Sequence, residues 1–297
     1  MKLARMQDAA GLRWVVREGD DEWFAVPAEV SGQLDQSRFS AAFERLGEAF
    51  ERGSLSPSPP LGPDGRIVAP IQQPSKIVCI GLNYRSHAEE TQNEIPEEPM
   101  VFLKAPSALN GPFDPVLLPP GSERTDWEIE LGVVIGQRAS YLPDVDAVRG
   151  VIAGFCVSND ISERRYQLRR GGQFTKGKSC PTFNPLGPWL VPVSEVDDPD
   201  DLSMQLTLNG EVMQESSTRE MIFSVAEIVH YVSQFMTLEP GDLINTGTPA
   251  GVGMARRRFL AAGDLVEATI EQLGTQRFEC HETPQPGASG SPENMAH

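Results

Sequence analysis

Thr125-Asp126-Trp127-Glu128-Ile129-Glu130-Leu131-Gly132-Val133-Val134-Ile135-Gly136 is the stretch on which the reading of this chain turns. Its apolar, β-branched run predicts a buried strand, yet it carries two carboxylates. Side chains alternate along a strand, so Glu128 and Glu130 share one face while Ile129 and Leu131 occupy the other. Two adjacent carboxylates on an otherwise apolar strand repel each other unless a cation lies between them. The competing reading is a half-exposed strand with a solvated acidic face.

Short runs of similar character recur outward from this strand: Ile77–Ile80, Met100–Leu103, Val151–Val157, Leu186–Val193, Met204–Leu208, Leu243–Asn245, Leu265–Gln272 and Gln276–Cys280. Asn209-Gly210, ahead of Val212–Gln214, is a two-residue hairpin signal. Beyond the front of the chain, helical patterns are confined to Ser162–Arg169 and Ser224–Met236, the second opened by a Ser224/Glu227 capping box. Many short strands with few helices predict an α+β, β-rich fold with a rolled or sandwiched core and helices outside it.

Three segments follow from composition. Residues 1–70 read as a small N-terminal α+β module and linker, with a strand pair at Leu12–Arg17 and Glu22–Val26 and a helix at Phe39–Phe50. The linker is the Pro-, Gly- and Ser-rich stretch Ser54–Pro74. Residues 71–282 read as the main, catalytic domain, and 283–297 as a flexible tail with almost nothing to bury.

The 297 residues carry a formal net charge of −17, which argues against a nucleic-acid partner, since phosphate binding needs a basic face. An anionic small molecule remains compatible if a cation inside the site reverses the local potential. The four cysteines lie far apart without CxxC spacing, which predicts reduced thiols rather than a disulfide framework or zinc site. The N-terminus lacks the apolar stretch of a signal peptide, and no run of apolar residues is long enough to span a bilayer. The expectation is a cytoplasmic protein with no membrane partner.

Other residues extend the carboxylate pair into a constellation. Asp160 follows the buried run Val151–Val157 and stands before a helical pattern that Ser162 opens. It reads either as a helix cap or as a third hard oxygen ligand, which with Glu128 and Glu130 would suit Mg²⁺ or Mn²⁺ better than zinc. Lys178, between Gly177 and Ser179, reads as a surface lysine or as a cation aimed at a substrate carboxylate or enolate. Arg164 and Gln167, one helical turn apart, offer a guanidinium fork and an amide, or a solvated helix face. The glycine-rich run Gly241–Gly253 brings backbone N–H groups and the Thr248 hydroxyl towards an anion, yet lacks the lysine of a phosphate loop. His87 and Glu90 share a face of one helical turn, as a general-base dyad or a structural pair, and Glu89–Pro99 could form a lid.

In this order the motifs GLNYRSHAEE, DWEIELGVVIG, AGFCVSNDISERRYQ, GGQFTKGKSCPTFNPLGPWLV and EPGDLINTGTPAGVG closely resemble the catalytic domain of the fumarylacetoacetate hydrolase superfamily, from about Ile77 to about Glu279. The resemblance implies a mixed β-roll and a homodimer. It implies Mg²⁺ held by Glu128, Glu130 and Asp160, and substrate contacts from Arg164, Gln167, Lys178 and Thr248. It also implies a base from His87 and Glu90 on a lid. Within the superfamily the chain is similar to a bacterial branch that cleaves 2,4-diketo-3-deoxy sugar acids, often labelled ureidoglycolate lyase. Two departures stand out: Pro181 where the family commonly has Asp, and a shortened loop after Gly253. The implied reaction is C–C hydrolysis of a 2-oxo or 2,4-diketo acid. Decarboxylation, isomerisation of an unsaturated 2-oxo diacid, and a non-catalytic binding role are the alternatives.

Overall fold

The computed structural model describes residues 1–18, 22–61 and 64–284; the expected tail from residue 285 onward lies outside them. The opening stretch forms the strand Ile129–Ile135, buried at every position. It sits third in a six-stranded mixed sheet ordered Val191–Pro192, Ile152–Asn159, Ile129–Ile135, Leu243–Asn245, Ile77–Gly81, Met100–Lys104. Leu243–Asn245 and Ile77–Gly81 pair in parallel, and the other neighbours are antiparallel.

Burial of this sheet on both faces explains why its strands read as continuous apolar runs. On one face Val78, Leu131, Val133 and Phe155 join Met204, Leu206, Val266 and Phe278 in a single apolar cluster. The latter four belong to a five-stranded sheet ordered Glu211–Ser217, Ser203–Leu208, Leu265–Ile270, Gly274–Glu282, Val116–Leu118. On the other face Cys79, Val134 and Cys156 pack with Val30, Leu34, Phe39 and Leu46 from the front of the chain. Each fully buried Leu or Phe of this kind contributes about 1.5–3 kcal/mol relative to exposure. The helices Ala28–Asp35 and Phe39–Glu51 that supply those four residues are therefore part of the sheet's cover.

The strand-rich α+β expectation holds, with several local corrections. Ser54–Pro74 is not structureless: Arg66–Val68 forms a strand against Lys2–Asp8, and these two with Gly11–Glu18 and Glu22–Ala25 make a four-stranded sheet. Long-range pairing rescues a segment whose Pro and Gly content alone spells a linker. Leu186–Val193 is not one strand. Within it Val191–Pro192 pairs as a strand and Leu186 and Leu190 make isolated bridges to Ser158 and Leu3, because Pro188 lacks the N–H that a continuous ladder requires. Ser162 does not open a helix. Ser162–Glu163 pairs with Thr125–Asp126, and the helix Arg164–Arg169 is capped by the Glu163 carboxylate, which accepts from Arg165 N–H.

The Asn209-Gly210 turn joins its strands with φ of 53° and 81°, and the capping box opens Val225–Ser233 as expected. All four cysteines are free, and among the described residues no helix is long and apolar enough to cross a membrane.

Candidate active site

Antiparallel pairing builds the core of the site. Ile129 lies opposite Asn159, so Glu128 and Asp160, each just beyond its strand, come side by side, and Asp160 N–H donates to the Glu128 carbonyl at 2.9 Å. Glu130 projects from the face that carries Val134, two pleats along, so a surface that is apolar under the front helices turns ionic here. Carboxylate oxygens of Glu128, Glu130 and Asp160 lie within 4.8 Å of one another, and all three residues are buried.

Cations ring two of the three. Lys178 Nζ contacts Glu128 Oε2 and lies 2.6 Å from Asp160 Oδ2. Its aim depends on Gly177, where a Cβ would meet Gln167 N and Glu163 O, each at 2.6 Å, so the turn Thr175–Lys178 can press against Arg164–Arg169. Arg164 donates through Nε to Asp126 Oδ2 at 2.7 Å and through Nη1 to Gln167 Oε1 at 3.1 Å, and its Nη2 forms an ion pair with Glu128 Oε1 at 2.6 Å. Lys104 Nζ sits 2.5 Å from Asp160 Oδ1 and donates to the carbonyls of Ile161 and Phe183. Burial disfavours charge on Lys178 and Glu128. The opposite charges around them outweigh it, so Lys178 is raised and Glu128 lowered from their ordinary values.

Glu130 differs. It accepts from Gly247 N–H at 2.7 Å, but no lysine or arginine forms an ion pair with it among the described residues. Burial, and then the charges of Asp160 and Glu128, push its carboxyl well above the ordinary range. Four carboxyl groups (Asp126, Glu128, Glu130, Asp160) thus face three cations (Lys104, Arg164, Lys178), and with all four ionised the cluster is one positive charge short. The residues fit a metal of the hard, oxygen-preferring kind, since three converging carboxylates with neither His nor Cys among them match Mg²⁺ or Mn²⁺.

The dyad lies on the helix Arg85–Glu90. His87 Nδ1 stands 3.3 Å from Glu90 Oε1, and Glu90 Oε2 accepts from Gly251 N–H at 2.8 Å. Burial raises the Glu90 carboxyl, but the His87 hydrogen bond and the backbone N–H groups of Gly251 and Val252 outweigh it, leaving the carboxyl below its ordinary 4.5. Because the folded value is the lower one, the stabilisation from ionised Glu90 is present above pH 4.5 and is lost as pH falls through the folded value. Glu90→Gln should therefore be less stable than the parent protein near pH 7, with the gap closing in acid. Urea unfolding at the two pH values measures this, and an equal gap at both would refute it.

The glycine-rich loop departs from expectation. Its N–H groups do not wait for a ligand anion: Gly247 serves Glu130, Gly251 serves Glu90, and Gly253 and Met254 serve Asp126 at 2.6 and 2.9 Å. Thr248 Oγ1 donates to Ile129 O at 2.9 Å and accepts from Gln214 at 2.8 Å, so its hydroxyl proton is already engaged. The departure after Gly253 is a short helical turn, Gly253–Arg256, and Pro181 is exposed.

These groups converge on one cleft of about 380 Å³, which His87, Glu128, Glu130, Arg164, Gln167, Lys178 and Thr248 all line. Thr91 and Asn93 line it as well, from a 91–99 segment without helix or strand. Asp160 lies behind it, bonded to two lysines. Two contributors escape the sequence reading. Lys104 carries a faint signal, since it falls in register with Met100 and Phe102 on one strand face, and those two line the cleft. Asp126 carries none, because its partners Arg164, Gly253 and Met254 meet it only in three dimensions.

The chain is a member of the fumarylacetoacetate hydrolase family: the family described as fumarylacetoacetate (FAA) hydrolase C-terminal matches residues 76–280. A 2,4-didehydro-3-deoxy-L-rhamnonate hydrolase from Sphingomonas sp. (strain SKA58) is 51% identical over 220 residues, 73% of this chain and 77% of that one. A mitochondrial oxaloacetate tautomerase of Bos taurus is 46% identical over 228 residues, 75% of this chain and 72% of that one. Among solved structures, a maleylpyruvate hydrolase from Sphingobium sp. SYK-6 in complex with manganese(II) ion and pyruvate superposes with a TM-score of 0.77 at 30% identity, covering 96% of this chain and 100% of that chain.

Proposed function

We propose that this protein is a metal-dependent hydrolase that splits a C–C bond in a 2,4-diketo acid of the acylpyruvate type, including those derived from sugar acids, with Mg²⁺ as its ion and Mn²⁺ as a substitute. The observation that carries this reading is the shared cleft, with a histidine–carboxylate pair on its wall and a charge-deficient carboxylate cluster on its floor. Glu128, Glu130 and Asp160 would hold the ion, which when bound supplies Lewis-acid polarisation of the 2-oxo group. Glu90 orients the His87 ring, which accepts a proton from water as the water oxygen bonds to the distal carbonyl carbon. The bond between that carbon and the central methylene then breaks, and its electron pair passes to the departing 2-oxo acid as an enolate. Lys178, held protonated by its carboxylates, offsets that charge, and the proton on His87 returns to the carbon. Gln167, its carbonyl fixed by Arg164, keeps an amide N–H₂ to orient the substrate, and Thr248 shapes the wall.

The Sphingomonas relative supports hydrolysis. The oxaloacetate tautomerase favours a second reading, in which the same cleft forms an enolate without water and isomerises or decarboxylates its acid. Product analysis separates the two: two acids for hydrolysis, one rearranged acid or CO₂ for the other.

Metal dependence gives the direct test. Turnover of a 2,4-diketo acid should vanish in EDTA and return with Mg²⁺ or Mn²⁺. At a hundredfold excess over its dissociation constant the ion should stabilise the fold by about 2.7 kcal/mol, read as a rise in Tm. Full turnover in metal-free protein would refute the reading. We further infer a cytoplasmic homodimer, the assembly that family resemblance implies. Light scattering should give twice the 32.5 kDa chain mass, and the single-chain mass at micromolar concentration would count against it.

A further inference from the structure

We propose that the distal half of the cleft selects a substrate with one carboxylate and a neutral arm, and rejects dicarboxylates. This rests on the reading above for where the 2-oxo acid head sits.

Each cation of the cleft faces carboxylates of the site. Among the described residues, Arg164 and Lys178 are the only arginine and lysine that line it. Arg164 hydrogen-bonds Asp126 and Gln167 and forms an ion pair with Glu128, and Lys178 faces Glu128 and Asp160. His87 faces Glu90. Three further basic groups engage partners of their own: Lys176 donates to Arg170 O, Arg256 to Met213 O, and Arg258 to Glu211. Much of the remaining lining is apolar, including Met100, Phe102, Leu168, Phe174 and Met254, with Thr91 and Asn93 as neutral polar members.

Charge balance leads to the same result by another route. With all four carboxyl groups ionised the floor lacks one positive charge, so a divalent ion leaves it with one in excess, and a single carboxylate restores neutrality. A second carboxylate on the arm would enter a partly buried, apolar space without a counter-ion, in a chain of net charge −17. A neutral chain, or one with hydroxyls meeting Thr91 and Asn93, meets no such penalty.

Calorimetry on the Mg²⁺-saturated protein with 2-oxohexanoate and 2-oxohexanedioate tests this without turnover, because the two ligands differ only in the terminal carboxylate. The monoacid should bind tighter by about 10²-fold, a modest share of what an unpaired buried carboxylate costs. Leu168 is 44% exposed, so Leu168→Arg keeps the fold and should reduce the preference by about tenfold or more, the scale of one added charge-assisted contact. Equal binding of the two acids, or a preference that Leu168→Arg leaves untouched, would overturn the inference. Turnover of 2,4-dioxoheptanoate and 2,4-dioxoheptanedioate isolates the underlying reading. If neither is cleaved while the binding preference persists, the hydrolase assignment fails and the neutral-arm selectivity stands.

Discussion

Asp160→Asn should abolish detectable turnover and, separately, lower folding stability. The substitution keeps shape and removes one charge. Asp160 carries two buried partners, with Oδ1 facing Lys104 at 2.5 Å and Oδ2 facing Lys178 at 2.6 Å. Removing one member of a buried ionic set typically costs about 3–5 kcal/mol, because the partner's charge stays buried and uncompensated. Lys104 retains the Ile161 and Phe183 carbonyls, and Lys178 retains Glu128, so the lower end of that range is expected. The variant should also lose the Mg²⁺-induced rise in Tm, a readout independent of catalysis. Turnover close to that of the parent protein would end the metal-site proposal, whatever the stability change.

His87→Ala should lower kcat by about 10²–10⁴-fold while leaving Mg²⁺ binding and KM for a diketo acid nearly unchanged. His87 lines the cleft and its ion-pair partner is Glu90 rather than Glu128, Glu130 or Asp160, so its removal leaves the ion pairs of the carboxylate cluster in place. Glu90 keeps its bond to Gly251 N–H, which holds the adjoining loop in place. The competing outcome is a raised KM with kcat intact, the mark of a residue that only packs the wall. That result would shift the assignment to tautomerase or decarboxylase chemistry, which needs no activated water.

The physical origin of each site group decides how legible it is in the sequence. Glu128 and Glu130 announce themselves because a two-residue period puts like charges on a strand that is otherwise apolar. Their approach to Asp160 follows once the two strands pair. His87 and Glu90 are legible because three residues of helix bring them to one face. The strand Lys2–Asp8 and its partner Arg66–Val68 stay hidden, since neither run is strongly patterned and their pairing spans some sixty residues. The helix Ala28–Asp35 stays hidden for a related reason, as only Val30 and Leu34 of it are buried and its pattern is weak. In the loop Gly247–Met254, glycine content alone indicates backbone N–H groups within reach of an anion. Which anion they reach depends on Glu90, Glu130 and Asp126, which are far away in sequence.

That loop also bears on how this site can change over evolutionary time. Its N–H groups tie together the cluster carboxylate Glu130, the dyad carboxylate Glu90 and the Asp126 that steadies Arg164. An insertion or deletion there would detune three roles at once, and substitutions in it would combine non-additively. The apolar wall of Met100, Phe102, Leu168 and Phe174 carries none of those bonds. Drift in substrate range is thereby channelled into the wall, while the loop behaves as one inherited part that is kept or lost whole.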